Sequence, residues 1–392
     1  MATTEIATTT AKIESAEPYS RLAIAHEKMK FSIDGDILAE ALAKFKGAAI
    51  DLTAYATFIV VKAQNEEFTA QIKITEGVTV DYCGELKLCA KSAKMLKALL
   101  SDARYTISVA DDVLTIRGED SVLDLLKKAT QQPEQLKFSI GGEKVFVTIP
   151  QRELKTLLKK TLYAASKNNF RPIIFKTVNF KSVGGELILT ATDEYRLAQA
   201  VSKLDSGYFE CNIPAPALKF VMPLLNDNDN AVALTFNLGD MSVEISFDDW
   251  KVTAKCQSGK FPNFSKVLSR EPVMSVEMCA DEIISALKFC KPFADDHNTV
   301  NLEFDKTAVV ISAEKAKVGK VSRTFDVKIT GEYLALARLN VDWLLETLAR
   351  LDDSSITLEL SERAVIIRGG ISVAVIGPLD AIKFHTESTK VA

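Results

Sequence analysis

The sequence predicts an α+β protein built from three tandem domains, each with two helices lying on antiparallel sheet. Three observations predict it. A helix-then-hairpin pattern occurs three times, as LKALLSDARYTISVADDVLTIRG (96–118), LKFVMPLLNDNDNAVALTFNLGDMSVEISFDD (218–249) and LLETLARLDDSSITLELSERAVIIRGG (344–370). Each copy ends a block that opens on a short strand and an amphipathic helix. The blocks recur at about the length of one ordinary domain, far beyond the roughly 20–50-residue period of solenoids and propellers.

Block one opens with MKFSIDGDILAEALAKFKGA (29–48), a strand and then a helix carrying Ile37, Leu38, Ala41 and Leu42 on one face. Spacing of i, i+3/i+4, i+7/i+8 marks a helix buried on one side only. The alternating FTAQIKITEGVTVDY follows, then a second helix at 90–100 with Met95, Leu96 and Leu99 predicted inward. Block two repeats the plan in VFVTIPQRELKTLLKKTLYAAS (145–166), where Leu154, Leu157, Leu158 and Leu162 share a face, and in the strands of IIFKTVNFKSVGGELILTATD. Block three does so in MSVEMCADEIISALKFCKPFA (274–294), with Ile283, Ile284, Leu287 and Cys290 aligned, and in TVNLEFDKTAVVISAEKA. Its last helix leads through a polar break to two strands joined at Ser361–Arg363. Two helices beside several antiparallel strands per block is the layered α+β arrangement. The expected domains are 29–138, 139–268 and 269–379. KFPNFSKVLSREP marks the second boundary by its prolines and weak periodicity.

Composition bounds the function. The chain has 392 residues, 47% hydrophobic and 26% charged, enough for real cores. No apolar run approaches the ~20 residues that span a bilayer, so no membrane partner is expected. Residues 1–28 lack an apolar core and carry Glu5, Glu14, Glu17 and Glu27, which predicts a disordered N-terminal extension rather than a targeting signal. Residues 380–392 read as a C-terminal tail. The six cysteines are scattered without a C-x-x-C pair, and His26, His297 and His385 stand far apart. Zinc-ligand spacing is therefore missing, and reduced thiols in a cytoplasmic protein are expected.

Net charge is −4, but its distribution says more than its sum. With the leucines of 151–162 inward, Arg152, Lys155 and Lys159 fall at i, i+3, i+7 on another side, with Lys160 and Lys167 nearby. In the helix 90–100, Lys91 and Lys94 point outward, with Lys97 close by. Acids gather in loops and hairpins instead, at Asp111, Asp112, Asp227, Asp229, Asp248, Asp249, Asp352 and Asp353. Cations on one helical layer suit a phosphate backbone. No aromatics interleave with them, so base readout is not expected. The candidate chemistry of an enzyme is Asp193, Tyr195 and Arg196, or Asp295, Asp296 and His297. Neither set brings a nucleophile and base together in sequence, and no G-x-x-x-x-G-K-[ST] loop exists. We therefore expect no catalytic residue, no metal site and no cofactor.

Four segments carry a family resemblance. NFRPIIFKTVNFKSVGGELILTATDEYRLAQA (169–200) resembles the middle domain of bacterial DNA sliding clamps, the β subunit of the replicative polymerase. GKFPNFSKVL (259–268) is similar to the segment joining that family's second and third domains, and LNVDWLLETL (339–348) to a helix of its third. MKF at 29–31 resembles the family's start. The chain also departs from the pattern. Glu194 and Tyr195 replace a Gly-His pair, which predicts an altered turn, since Glu lacks glycine's backbone freedom. The first domain lacks the Arg-Pro-x-x-Pro segment with its DNA-proximal arginine, and VAVIGPL replaces the usual ending.

The resemblance implies a head-to-tail homodimer closing into a six-domain ring, a non-catalytic processivity factor around double-stranded DNA. Its implied partners are DNA without sequence preference, the replicative polymerase, the clamp loader and other proteins bearing the clamp motif. It implies Lys91, Lys94, Arg152, Lys155, Lys159, Lys167 and Arg171 as hole-lining cations. It implies a dimer contact between Phe289–Phe293 and the hairpin around Tyr105 and Ile107. It also implies a pocket for a short Leu/Phe-anchored partner peptide, formed by Ile174, Thr192, Tyr195, Arg196, Leu197, Pro262, Lys266 and Val267. Asn340, Trp343, Val373, Val375 and Ile376 complete that pocket. Leu197 and Val375 also fit a plain core role, whereas an arginine beside them at a strand end is seldom buried without a partner. A clamp-fold scaffold that does not encircle DNA is the alternative, ahead of a hydrolytic enzyme.

Overall fold

Helix α1 (Gly35–Lys44) buries Leu38, Ala41 and Leu42, with Asp36 in its first turn and Lys44 in its last, both favourable to the helix dipole. The computed structural model in which it is seen describes residues 27–110, 113–126, 143–204, 207–331, 334–351 and 353–385. Most of the N-terminal extension, the boundary near Ser139, the end of the C-terminal tail, His26, Asp111, Asp112 and Asp352 lie outside the described residues.

The remaining helices follow their sequence periods, with one exception. α2 (Ala90–Leu99) is opened by Cys89, whose sulfur accepts the Ser92 N–H at 3.4 Å, and it buries Ala93 and Leu96. Met95 and Leu99, expected inward, are 40% and 44% exposed. The inward line runs through Ala93 and Leu96, and the ~100° turn per residue carries their neighbours off it. α3 (Gln151–Thr161) buries Leu154, Leu157 and Leu158, and also Gln151 and Lys160. α4 (Ala215–Val221) buries Ala217, Leu218 and Val221, and α5 (Ser265–Leu268) is a single turn. α6 (Ala280–Cys290) buries Ile283, Leu287 and Cys290, and α7 (Val341–Leu348) buries Val341, Leu344 and Leu348.

The chain divides into two compact units, one within Met1–Gln64 and Gln71–Pro133, the other within Asn65–Ala70 and Glu134–Ala392. The first holds a five-stranded sheet in the order Val78–Tyr82, Glu27–Asp34, Arg104–Ala110, Val113–Arg117, Val122–Leu126. Burial alternates along Arg104–Ala110, so Tyr105, Ile107 and Val109 enter one core. Ile50–Ala54, with the same alternation, pairs with Ile59–Gln64 and Gly84–Leu88.

In the second unit a nine-stranded sheet joins blocks two and three. Phe209–Pro214, Thr177–Val183, Glu186–Thr192 and Arg196–Lys203 are followed by Ser372–Ile376, Ala364–Gly369, Ser355–Ser361, Met274–Cys279 and Lys328–Thr330. Lys144–Pro150, Ala231–Asn237, Ser242–Phe247 and Trp250–Lys255 pair in succession. A five-stranded sheet of Gly319–Asp326, Ala308–Lys315, Thr299–Asp305, Leu334–Asn340 and Lys383–His385 completes block three. Ile283, Leu287, Leu344 and Leu348 pack with Leu302, Phe304, Leu358 and Ile367 in one core.

Candidate functional site

Strand Arg196–Lys203 of block two pairs antiparallel with Ser372–Ile376 of block three, setting Arg196 opposite Ile376 and Leu197 opposite Val375. Because side chains alternate between sheet faces, this register divides the predicted pocket residues into two sets. Leu197 and Val375 form a small cluster with Ala364 and Ile366, against which Val373, Phe264, Val267 and Leu268 pack. Ile376 belongs to the block-three core and is fully buried. Leu197 and Val375 thus bury each other outside the main core. A groove of about 670 Å³ adjoins them, lined by Phe264, Leu268, Pro262, Asn179, Thr190 and Gln199.

Arg196 lies on the other face and is only 7% exposed. Its Nε donates to Asp193 Oδ2 at 3.1 Å, one terminal nitrogen to Glu346 Oε2 at 2.7 Å, and the other to the Tyr163 carbonyl at 3.3 Å. This fork is used up inside the protein, so Arg196 is a tie between α7 and the turn that follows α3 rather than a pocket surface. Tyr163 beneath it donates to Thr347 Oγ1 at 3.3 Å, and burial pushes its phenol up to about 12. Burial works to raise the Glu346 carboxyl, but the hydrogen bond and charge of Arg196, with Lys167, outweigh it and hold the group below its ordinary value.

The turn before Arg196 is built without glycine. Glu194 takes φ +80°, the left-handed region, held by Thr192 Oγ1 accepting its N–H at 3.1 Å. Asp193 Oδ1 accepts the N–H groups of Tyr195 and Arg196 at 3.1 and 3.0 Å. Buried Thr192 donates to the Arg196 carbonyl at 2.7 Å, so its hydroxyl serves the turn. The turn presents Tyr195, 51% exposed, in a stack on Trp343 with ring centroids 5.3 Å apart. Arg171 lies over the Tyr195 ring at 4.9 Å and hydrogen-bonds both Glu194 and the Tyr195 hydroxyl. Gly377 N–H donates to the Tyr195 carbonyl at 2.8 Å. Trp343 is placed by Asn340, whose Oδ1 caps α7 by accepting the Asp342 and Trp343 N–H groups at 3.0 and 3.1 Å. The Asn340 amide donates to the His297 carbonyl at 2.9 Å.

Of the other predicted pocket residues, Ile174 is half-buried in the 3-10 turn Ile173–Lys176, Pro262 is half-buried, and Lys266 is exposed on α5. Sequence reasoning missed Phe264, Leu268, Ala364 and Ile366. The i, i+3, i+4 spacing of Phe264, Val267 and Leu268 was a usable signal, as was the alternation of Ala364 and Ile366. Glu346 had none.

The predicted cations are not set apart from acids. Arg152 pairs with Asp229 at 2.8 Å, Lys155 with Asp227 at 2.9 Å and Lys167 with Glu346 at 3.3 Å, while Arg171 pairs with Glu194. Lys160 is buried and donates to the Arg350 carbonyl at 3.3 Å. Lys91, Lys94 and Lys159 are exposed and carry no ion pair among the described residues. The acidic loops fold back onto the helices, which charge counting along the chain does not show.

The predicted dimer residues divide as well. Tyr105 and Ile107 are buried in a strand flanked on both sides by its own sheet, so they cannot meet a partner there. Phe293 is half-buried against the block-three core. Phe289 is 47% exposed with Arg323 over its ring at 4.7 Å, and Val122 on the edge strand is 60% exposed. The two enzyme-like clusters are occupied by turns, Asp193 as described and Asp295 by accepting the N–H groups of His297 and Thr299 at 3.0 and 2.9 Å. Among the described residues no three His, Cys, Asp or Glu side chains gather as a metal site.

Residues 148–263 match the family model of the DNA polymerase III beta subunit central domain, and residues 265–370 that of its C-terminal domain. A beta sliding clamp of Chlamydia pneumoniae is 25% identical over 348 residues, covering 85% of this chain and 93% of the relative. One from Bacillus subtilis is 25% identical over 297 residues, 73% of this chain and 76% of the relative. The crystal structure of the Bacillus subtilis DNA polymerase sliding clamp superposes with a TM-score of 0.82 at 22% identity, over 90% of this chain and 100% of the other. That of the Pseudomonas aeruginosa DNA polymerase III subunit beta gives 0.81 at 18% identity with the same coverage.

Proposed function

Since the chain belongs to the DNA polymerase III beta-subunit family, the non-catalytic sliding clamps of DNA replication, we propose that two copies close head to tail into a ring around duplex DNA. The observation that carries this is the tandem match of blocks two and three to the family's central and C-terminal domains, with block one repeating their strand-helix plan. In this reading the chain has three domains, 29–138, 139–268 and 269–379, the expected tail adding Ile382 to the third domain's core and Lys383–His385 to its sheet, and works in the cytoplasm beside the chromosome. The exposed side of α3, with Lys159, and that of α2, with Lys91 and Lys94, face the DNA. Contact with the backbone alone is blind to sequence and lets the ring slide. The direct test is retention on a nicked circular plasmid during gel filtration. A ring stays with the circle and is shed when the plasmid is linearised. Equal retention on both forms, or on neither, would overturn encirclement.

The same reading places the partner-peptide site at the outer Leu197–Val375 cluster and the exposed Tyr195–Trp343 stack. An aliphatic patch beside an aromatic pair suits the Leu and Phe anchors of a short peptide. Arg196 supports the turn from behind, and Lys266 offers a point charge rather than a fork. The replicative polymerase and the clamp loader are the expected bearers of that peptide. Titration of such a peptide against the protein and a Leu197→Ala, Trp343→Ala variant that still dimerises should show at least tenfold weaker binding by the variant. Equal affinity would place the partner site elsewhere.

A further inference from the structure

Residues 225–230, LNDNDN, form a loop that is fastened to the start of α3 rather than merely near it. The Gln151 side chain, fully buried, accepts the Asn226 N–H at 2.8 Å and donates to both oxygens of Asp248 at 3.0 Å. The backbone N–H groups of Gln151 and Arg152 donate to the Asn230 and Asn228 carbonyls at 2.9 and 3.0 Å. Between these anchors the two aspartates project onto the helix, Asp227 against Lys155 at 2.9 Å and Asp229 against Arg152 at 2.8 Å. Asp227, Asp229 and Arg152 are open to water, their side chains being 74%, 65% and 63% exposed, whereas that of Lys155 is 18% exposed.

We propose that Asp227 and Asp229 are built-in competitors of DNA phosphate for Lys155 and Arg152, weakening this surface's hold on the duplex. The inference rests on the reading that α3 faces DNA. Its physical basis is the anchoring. A carboxylate held at hydrogen-bond distance occupies the cation continuously, so a phosphate gains the cation only by displacing it. Exposed ion pairs are worth little, so displacement stays easy, on the order of a factor of five or less for each pair. The salt dependence should also soften. A cation that meets a phosphate releases a counterion from DNA, but the aspartate left behind takes one up, cancelling part of the release. The Lys155 hydrogen bond holds the Asp227 carboxyl below its ordinary range, so the competitor stays charged. The effect is a grip kept weak at two positions while Lys159 remains available.

The test uses the full chain, a fluorescent DNA duplex and anisotropy over a range of salt. Asp227→Asn with Asp229→Asn is nearly isosteric, and asparagine already stands at 226, 228 and 230. This variant should bind about three- to twentyfold more tightly at low salt, with a salt slope steeper by about one to two. Adding Arg152→Ala and Lys155→Ala should remove the gain. Glu303→Gln with Asp305→Asn is the charge control, since both are exposed on the strand face opposite buried Leu302 and Phe304. Unchanged affinity and slope, or an equal gain in the control, would overturn the proposal while leaving DNA binding itself standing. Absence of duplex binding by every variant would remove the DNA-facing reading and this inference with it.

Discussion

At the scale of single residues, Arg196 and Glu194 decide how the site is held. Arg196 is buried with all three guanidinium nitrogens engaged, so removing it leaves Glu346 to Lys167 alone and takes from Asp193 the charge that balances it. Arg196→Ala should cost about 3–5 kcal/mol in chemical denaturation. Lysine cannot span three acceptors in a plane, so Arg196→Lys should recover less than half of that. A stable Arg196→Ala protein would show the tie to be dispensable. The acid limb of stability follows from Glu346. Its folded value lies below the ordinary 4.5, so its stabilisation is complete above that value and is lost as pH falls through the lower folded value. Glu346→Gln should flatten unfolding free energy against pH below about 4.5, and an unchanged acid slope would exclude the pair as its source. Glu194 sits at φ +80°, where a residue with Cβ is strained by roughly 1–2 kcal/mol. Its exposed pair with Arg171 returns little. Glu194→Gly should therefore be neutral or up to about 1 kcal/mol more stable, and a clear loss would mean the Arg171 contact matters more than the strain.

At the scale of elements, α7 shows how a cap positions a functional side chain. Asn340 satisfies the first free N–H groups of the helix and thereby fixes Trp343 beneath Tyr195. Asn340→Ala should cost about 1 kcal/mol and increase solvent quenching of Trp343 fluorescence, with Trp250→Phe removing the other indole. Unchanged quenching would separate the cap from the stack. Elements of this kind were largely legible in the sequence. The leucines of α3 stand at a period only a one-sided helix explains, and the first strand of each hairpin alternates along most of its length. α2 was less legible because two alanines share its short apolar face, so Met95 and Leu99 read as inward when size rather than position was followed. The division of the site was not legible at all. It depends on Arg196–Lys203 pairing with Ser372–Ile376, a long-range register that sends Leu197 to one face and Arg196 to the other. Local periodicity contains no information about that partner. The same holds for Asp227 and Asp229, which reach α3 only through tertiary anchoring by Gln151.

At the scale of the whole molecule, ring closure has to use strands with an open side. Tyr105 and Ile107 cannot serve, being flanked by neighbours in their own sheet. Among the described residues Val122–Leu126 ends that sheet, with Val113–Arg117 beside it, and presents an exposed Val122. In block three Gly319–Asp326 ends its sheet, eight residues long and mostly exposed, and its Arg323 lies over Phe289 and donates to Ser285 Oγ at 2.8 Å. Unpaired edges of this length invite another strand. An interface joining Val122–Leu126 of one copy to Gly319–Asp326 of the next is heterologous, so it closes a ring only when the rotation between copies permits. Val122→Lys would bring a cation to a seam whose other strand carries Lys320 and Arg323, adding like-charge repulsion and losing apolar burial. The protein should sediment at micromolar concentration as a species of twice the 43.0 kDa chain mass. Val122→Lys should sediment as a single chain, with unchanged circular dichroism, since an exposed edge position bears little of the fold. A Val122→Lys protein that remains dimeric would place the seam on other strands, and a wild-type chain that stays monomeric throughout would leave the fold without its ring.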